Sequence, residues 1–290
     1  MKVASYIALF LAVVFLGDKL GSFTAMKVIH QSRNQFVRMY EGETPADIIF
    51  LGDSRVDRNI SYKDIQDSTG KVCLNLGLGG NNILISEVLL QDYVQRYGNP
   101  ELVVIDLGHS MVDPKSMGEM RIFSYRSKGM EALAMRNDPT YAAFEHVFKS
   151  LRFNDPAFWR ISVEVFKEPS SRLLNNKIPT VLIEKWKNAG HEELPIYTEN
   201  MEALKRICDY ADSKNIQIRL IISPYWKDYK NAIVNFESWK AALQKSAGQH
   251  YIYDYSEFFN ECPAYFNDIV HLNATGAKKF VMVLQKYNVF

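Results

Sequence analysis

What most constrains the fold is a repeated unit: a short apolar run that reaches a glycine, followed by a segment with helical spacing. Residues 46–51 (ADIIFL) run into Gly52, residues 71–76 (KVCLNL) into Gly77, and residues 102–107 (LVVIDL) into Gly108. Runs of this length suit strands buried on both faces. The spacing predicts helices at 82–97, 198–214, 229–245 and 273–287, and further strands at 216–222 and 251–254. Strands that alternate with helices of ten or more residues imply a parallel α/β sheet with both faces covered. The simplest arrangement is a doubly wound, five-stranded parallel sheet of the flavodoxin-like type. Such sheets bind ligands at the carboxyl ends of their strands.

One stretch breaks the rhythm. Residues 110–197, rich in Phe, Tyr, Trp, Met and Arg, follow the third strand with helix-compatible pieces at 141–151 and 179–189. They are expected to form a long helical insertion with its own small core, or a cap over the crevice. The predicted organisation is therefore an export or anchor segment at 1–22, a stalk at 23–44, and a sheet domain at 45–290 interrupted by the 110–197 insertion.

The N-terminal assignment rests on residues 3–16, fourteen positions without a charge, preceded by Lys2. Fourteen residues match the apolar region of a signal peptide. Extended to 1–20, with Lys2 and Lys19 reaching outward, the segment makes a plausible single span. No clean small-x-small cleavage pattern follows it, which favours an uncleaved anchor. Lys19, Lys27 and Arg33 behind the run outnumber Lys2 before it, so charge alone would keep the chain inside. A lone N-terminal apolar run ahead of a polar domain is nonetheless the pattern of an export signal, and an extracytoplasmic domain is expected.

Composition removes other classes. Against 33 acidic residues stand 34 Lys plus Arg, a net charge of +1. Binding to phosphate backbones needs a clustered excess of basic residues, so no nucleic-acid partner is expected. Cys73, Cys208 and Cys262 are odd in number and widely spaced, which supports neither a disulfide framework nor a zinc site. No metal or cofactor is expected.

The chemistry lies where the strands end. Gly52-Asp53-Ser54-Arg55 puts a serine just past a buried strand, at the start of a helix. Capping that helix is the plainer role for such a serine. Arg55, Asp57 and Arg58 follow closely enough to contact substrate, or simply form a solvated first turn. Residues 75–82 (NLGLGGNN) form a glycine-rich loop whose N–H groups, around Gly80 and Asn81, can face an anion. It is not a dinucleotide fingerprint, because Asn82 occupies the third glycine position. Near the C-terminus, residues 267–276 (NDIVHLNATG) space Asp268 and His271 three apart before a helix. A carboxylate there can accept from the imidazole Nδ1–H and leave Nε2 free to face a serine hydroxyl, as a general base requires. The triplets at 59–61 and 273–275 match the N-glycosylation pattern, which means nothing without a host.

Taken in order, these blocks resemble the SGNH, or GDSL-type, hydrolase superfamily over roughly residues 46–290, leaving aside the insertion. The resemblance implies an α/β hydrolase fold with Ser54 as nucleophile, Gly80 as an oxyanion N–H donor, His271 as base and Asp268 as orienting acid. The LNxxG that follows is also frequent in that family. The third block departs from it. Where the family commonly has G-x-N-D, this chain has Gly108-His109-Ser110-Met111, so Ser110 stands at the Asn position and either Ser110 or His109 would have to substitute, or the backbone donors of Ser54 and Gly80 would have to suffice. Losing one oxyanion donor typically costs about 10²- to 10³-fold in rate. Similar departures occur in membrane-anchored relatives that act in exopolysaccharide O-acetylation and in teichoic-acid alanylation. The resemblance thus implies a serine-dependent esterase or O-acyltransferase acting on acyl, in particular acetyl, esters of carbohydrate or envelope polymers. The alternative is a non-catalytic binding or assembly protein on the same fold.

Overall fold

The computed structural model describes residues 2–42, 45–117, 119–166, 173–187 and 190–290. The ends of the expected stalk (43–44) and parts of the expected insertion (118, 167–172, 188–189) lie outside the described residues. In chain order the first half contains α1 (Lys2–His30), α2 (Gln35–Glu41), β1 (Ile48–Gly52), α3 (Ser54–Asn59), α4 (Tyr62–Thr69), β2 (Cys73–Gly77), α5 (Ile83–Tyr97) and β3 (Leu102–Asp106). Then follow α6 (Lys128–Asn137), α7 (Pro139–Val147), α8 (Pro156–Val163), α9 (Thr180–Lys187) and α10 (Thr198–Lys214). The chain closes with β4 (Gln217–Ile222), α11 (Lys227–Ala232), α12 (Phe236–Ala247), β5 (Ile252–Asp254) and α13 (Ala274–Lys286). Two compact units result, one of Met1–Glu43 with Glu119–Ser170, the other of Thr44–Gly118 with Ser171–Phe290.

The larger unit holds a five-stranded, all-parallel sheet in the order β2-β1-β3-β4-β5. Every residue of β1, β2 and β3 is buried, as expected for strands covered on both faces. Helices α3, α4 and α13 pack together on one side, and α5, α10 and α12 on the other. Ile48, Phe50, Leu102, Val104 and Ile221 meet Phe280, Val281 and Leu284 of α13 in the core of the first side. Each such side chain contributes roughly 1.5–3 kcal/mol of burial free energy. The register is Ile48 opposite Cys73 and Leu102, and Val104 opposite Arg219. It brings the loops after β1, β2, β3 and β4 out at the same edge.

Two expectations about this unit are corrected. The single helix predicted at 229–245 is two, because Asn235 leaves the helical path. Its side chain accepts from Leu194 N–H and donates to Leu194 C=O, both at 2.8 Å. The stretch 110–197 is also not one insertion. Its last part belongs to the sheet unit, where Ile178 N–H donates to Phe266 C=O and Ala274 N–H to Leu174 C=O.

The smaller unit takes up the middle of that stretch together with the N-terminal helices. A stalk was expected at 23–44, but α2 buries Phe36, Val37, Met39 and Tyr40. Tyr40 stacks on Phe123 at 5.4 Å, and Phe36 lies 5.9 Å from the same ring. The polar residues that read as linker, among them Asn34 and Arg38, supply the cap and outer face of a packed helix. Helix α1 is long and apolar enough to cross a membrane, and only 6% of its most apolar eighteen residues is buried.

Candidate functional site

Strand β1 ends at Gly52, whose φ of +145° is a conformation that residues with a side chain rarely adopt. The chain then turns sharply into α3. Asp53 caps the helix by accepting the Arg55 N–H at 2.9 Å, so the cap is the residue before Ser54, and Ser54 is the first helical residue. Its hydroxyl is left for other partners. Asp268 and His271 meet it from the far end of the chain. Asp268 Oδ1 accepts the backbone N–H groups of Val270 (3.0 Å) and His271 (2.9 Å), and its carboxylate lies 2.9–3.0 Å from His271 Nδ1. His271 Nε2 lies 2.8 Å from Ser54 Oγ. With Nδ1 facing a carboxylate, the imidazole proton belongs on Nδ1, and Nε2 presents its lone pair to the serine hydroxyl. Burial alone would raise the Asp268 carboxyl. The hydrogen bond and charge of His271, with the Val270 N–H and the Asn267 amide, outweigh burial and hold it below the usual carboxylate range.

The loop that carries His271 is clamped. Asn59, the last residue of α3, accepts the Leu272 N–H at 2.8 Å and donates to Ser223 Oγ and the Val270 carbonyl. Trp226 N–H donates to Ile269 C=O. Asn273 caps α13 through the Gly276 N–H and donates to Ala264 C=O. Gly276 is required there, because a Cβ would overlap the Tyr265 carbonyl oxygen. Asn59 and Asn273 are therefore buried structural ties, which removes any reading of 59–61 and 273–275 as glycan acceptors. Nothing in the sequence pattern distinguished Asn59, since its partners lie more than 160 residues away.

The glycine loop approaches Ser54 closely. A Cβ on Gly79 would sit 3.8 Å from the Ser54 Cβ. Gly80 takes φ +81°, and its carbonyl accepts from Ser116 Oγ at 3.0 Å. Asn81 is fully buried, and neither its amide nitrogen nor its amide oxygen has a partner among the described residues. His109 Nε2 is buried without a partner as well. Burial, then the charges of Arg55 and His271, push His109 down to about 3, so it is neutral at ordinary pH.

Two expected roles are corrected. Ser110 cannot act as the missing oxyanion donor, because its buried hydroxyl already donates to Asp106 C=O at 2.7 Å. Arg55 neither touches a ligand crevice nor forms a solvated turn. It is wholly buried under the strand ends, donating through Nε and Nη2 to Ser223 Oγ and through Nη2 to the Ser223 and Pro224 carbonyls. Its Nε lies 3.5 Å from Asp106 Oδ2, and its guanidinium stacks 3.8 Å from the Tyr225 ring centre. Asp57 and Arg58 are half-buried.

This polar cluster sets a pH dependence. Burial first, and then the Asp106 carboxylate, push Asp53 up to about 7, whereas an unfolded aspartate titrates near about 3.9. The folded state therefore holds a proton that the unfolded state has already released. Its stabilising contribution is complete below about pH 4 and is lost as pH rises through about 7. In urea melts, the stability of wild type minus that of Asp53→Asn should fall across this window by up to about 1.4 kcal/mol per pH unit. The opposite dependence contributed by neutral His109 is common to both proteins and cancels. A flat difference would show that Asp53 is ionised throughout.

No protein-family model matches the chain, and no curated protein matches it.

Proposed function

We propose that the chain is a membrane-anchored, serine-dependent acyl-transfer enzyme of the SGNH type. It is an esterase when water accepts the acyl group and an O-acyltransferase when a sugar hydroxyl does. The observation that carries the reading is the relay from Asp268 through His271 to Ser54, with 2.8 Å between Nε2 and Oγ. Ser54 Oγ attacks the ester carbonyl carbon while His271 Nε2 takes its proton. The tetrahedral oxyanion is held by the backbone N–H groups of Ser54 and Gly80. On collapse, the imidazolium protonates the leaving alcohol and an acyl-Ser54 remains. An acceptor hydroxyl then gives its proton to His271 and attacks the acyl carbon, and on collapse the acyl–Ser54 bond breaks as the imidazolium returns the proton to Ser54 Oγ. Asp268 fixes the tautomer and stabilises the imidazolium.

With Ser110 committed to the Asp106 carbonyl, side-chain help for the oxyanion falls to Asn81 or His109, whose buried polar atoms are among those with unused hydrogen-bonding capacity in the described residues of the crevice loops. The same commitment of Ser110 favours the second reading, a non-catalytic binding or assembly protein. The apolar α1 supports membrane attachment, and the domain is proposed to work outside the cytoplasm on acyl esters of carbohydrate or envelope polymers. Mass spectrometry of the full chain in detergent, after exposure to p-nitrophenyl acetate or a fluorophosphonate, should find a covalent adduct on Ser54. Absence of an adduct with both reagents would overturn the enzymatic reading in favour of the binding protein.

A further inference from the structure

Helix α1 changes character at Asp18. Before it, Phe15 and Leu16 end an exposed apolar run, with 51% and 65% of their surfaces open. From Asp18 onward one face of the helix is tied into its unit, while Leu20 and Phe23 on the rest of it stay 68% and 52% exposed. The Asp18 carboxylate accepts from the Lys149 N–H (3.1 Å), the Ser150 N–H (2.8 Å), Ser150 Oγ (2.6 Å) and Lys19 Nζ (2.9 Å). Further along, Ser22 and Ile29 are buried. Removal of residues 1–22 would take this acceptor from the Lys149 and Ser150 donors, which supports a retained helix over a disposable leader.

The same junction fixes a second segment at one level of α1. Lys19 Nζ donates to Val147 C=O at 2.8 Å and sits 4.6 Å from the centre of the Phe15 ring. The end of α7 is thereby held within a turn of where the apolar run stops. On that helix Phe144 and Val147, three residues apart and so on one face, are 54% and 53% exposed. Lys149, two residues past Val147, is exposed. Apolar side chains beside the exposed Lys149 and half-buried Lys19 have the composition of an interfacial segment.

We propose that the Phe144–Val147 face of α7 seats in the headgroup–acyl boundary of a lipid bilayer, with Asp18 and Lys19 of an uncleaved α1 marking the membrane surface. The inference rests on reading α1 as a membrane segment. Lipid is the occupant because this face extends the exposed surface of residues 3–16, which only a hydrocarbon phase suits. Asp18 is no obstacle at that depth, since four hydrogen bonds satisfy its carboxylate. Another exposed apolar face supplies the contrast. Val163 of α8 lies near Ile161, whose carbonyl accepts from Ser32 Oγ. Ser32 is past the end of α1, and Lys19 to His30 alone rises about 16 Å, so Val163 is expected in water.

The test uses the full chain in phosphatidylglycerol–phosphatidylcholine nanodiscs, with an environment-sensitive fluorophore on Phe144→Cys, Val147→Cys or Val163→Cys. The background is Cys262→Ser, whose remaining cysteines, Cys73 and Cys208, are buried. Labels at 144 and 147 should emit blue-shifted light and be quenched by nitroxide lipids, while the label at 163 should do neither. A photo-crosslinking lipid applied to the unaltered chain gives a second reading free of substitutions, in which adducts should map to 139–149 as well as to α1. Water-like emission at 144 and 147 with adducts on α1 alone would overturn the seating and leave the anchor intact. Failure of the chain to incorporate into nanodiscs would overturn both. Adducts on neither segment, with 144 and 147 protected only when a protein from the membrane fraction is added, would overturn lipid in favour of a protein partner.

Discussion

Ser54→Ala is expected to remove acyl-ester turnover by about 10⁴-fold or more, and His271→Ala by a similar factor, because the two act as one unit and neither works alone. The double variant should lose little beyond either single one. Asp268→Asn is the more discriminating change. Asp268 Oδ1 accepts two backbone N–H groups, while Oδ2 faces both the Asn267 amide nitrogen and His271 Nδ1. An asparagine keeps its oxygen on the backbone donors, so its NH₂ must replace Oδ2 and confront a donor on each side. His271 then turns its Nδ1 lone pair to that NH₂ and carries its proton on Nε2, the atom that has to accept from Ser54. A rate loss of about 10⁴-fold in kcat is expected, with little change in KM and with the loop still folded. Steady-state kinetics beside circular dichroism checks this. Unchanged turnover in Ser54→Ala would remove the serine mechanism altogether.

The parts of this site that were legible in the sequence are those built from local spacing. Asp268 and His271 stand three apart on one turn, and Ser54 stands two residues past the glycine that ends a buried strand, so all three could be named as candidates before their contact was known. The strands were legible for the same reason. A run such as LVVID has only one kind of environment in a domain of this size. Arg55 shows the opposite case. A charged residue in a first helical turn reads as solvated, and only the register of β1, β3 and β4 brings Asp106, Ser223 and Tyr225 around it. Ser110 was misread for a local reason, since its hydroxyl donates to the Asp106 C=O four residues earlier. The stalk was misread because α2 buries its apolar face against residues some eighty positions away, among them Phe123. For Arg55 and the stalk the deciding partner came from tertiary packing that single-sequence periodicity does not register, and for Ser110 it was a nearby backbone carbonyl that residue spacing does not assign.

Arg55→Ala is expected to destabilise the sheet unit by about 3–5 kcal/mol, the usual result of removing one member of a buried ion pair. That is a large share of the roughly 5–15 kcal/mol that holds a typical domain together. Three losses combine. Asp106 keeps a buried charge whose nearest cation is gone, the Ser223 and Pro224 carbonyls lose their donor, and the space over Tyr225 is left open. Arg55→Lys retains a charge but not the planar fork that serves Ser223 and stacks on Tyr225, so it should recover only part of the loss. The diagnostic variant is Arg55→Met with Asp106→Asn, which removes both charges and fills most of the volume. If the cost lies in the orphaned carboxylate, urea melts should show this double variant more stable than Arg55→Met alone. Equal stabilities would place the cost in packing over Tyr225 instead. Had Arg55 been a substrate contact, Arg55→Ala would raise KM with no change in the melt. The buried cluster predicts the reverse: a lowered unfolding midpoint and, in the fraction that remains folded, a KM close to that of the unaltered protein.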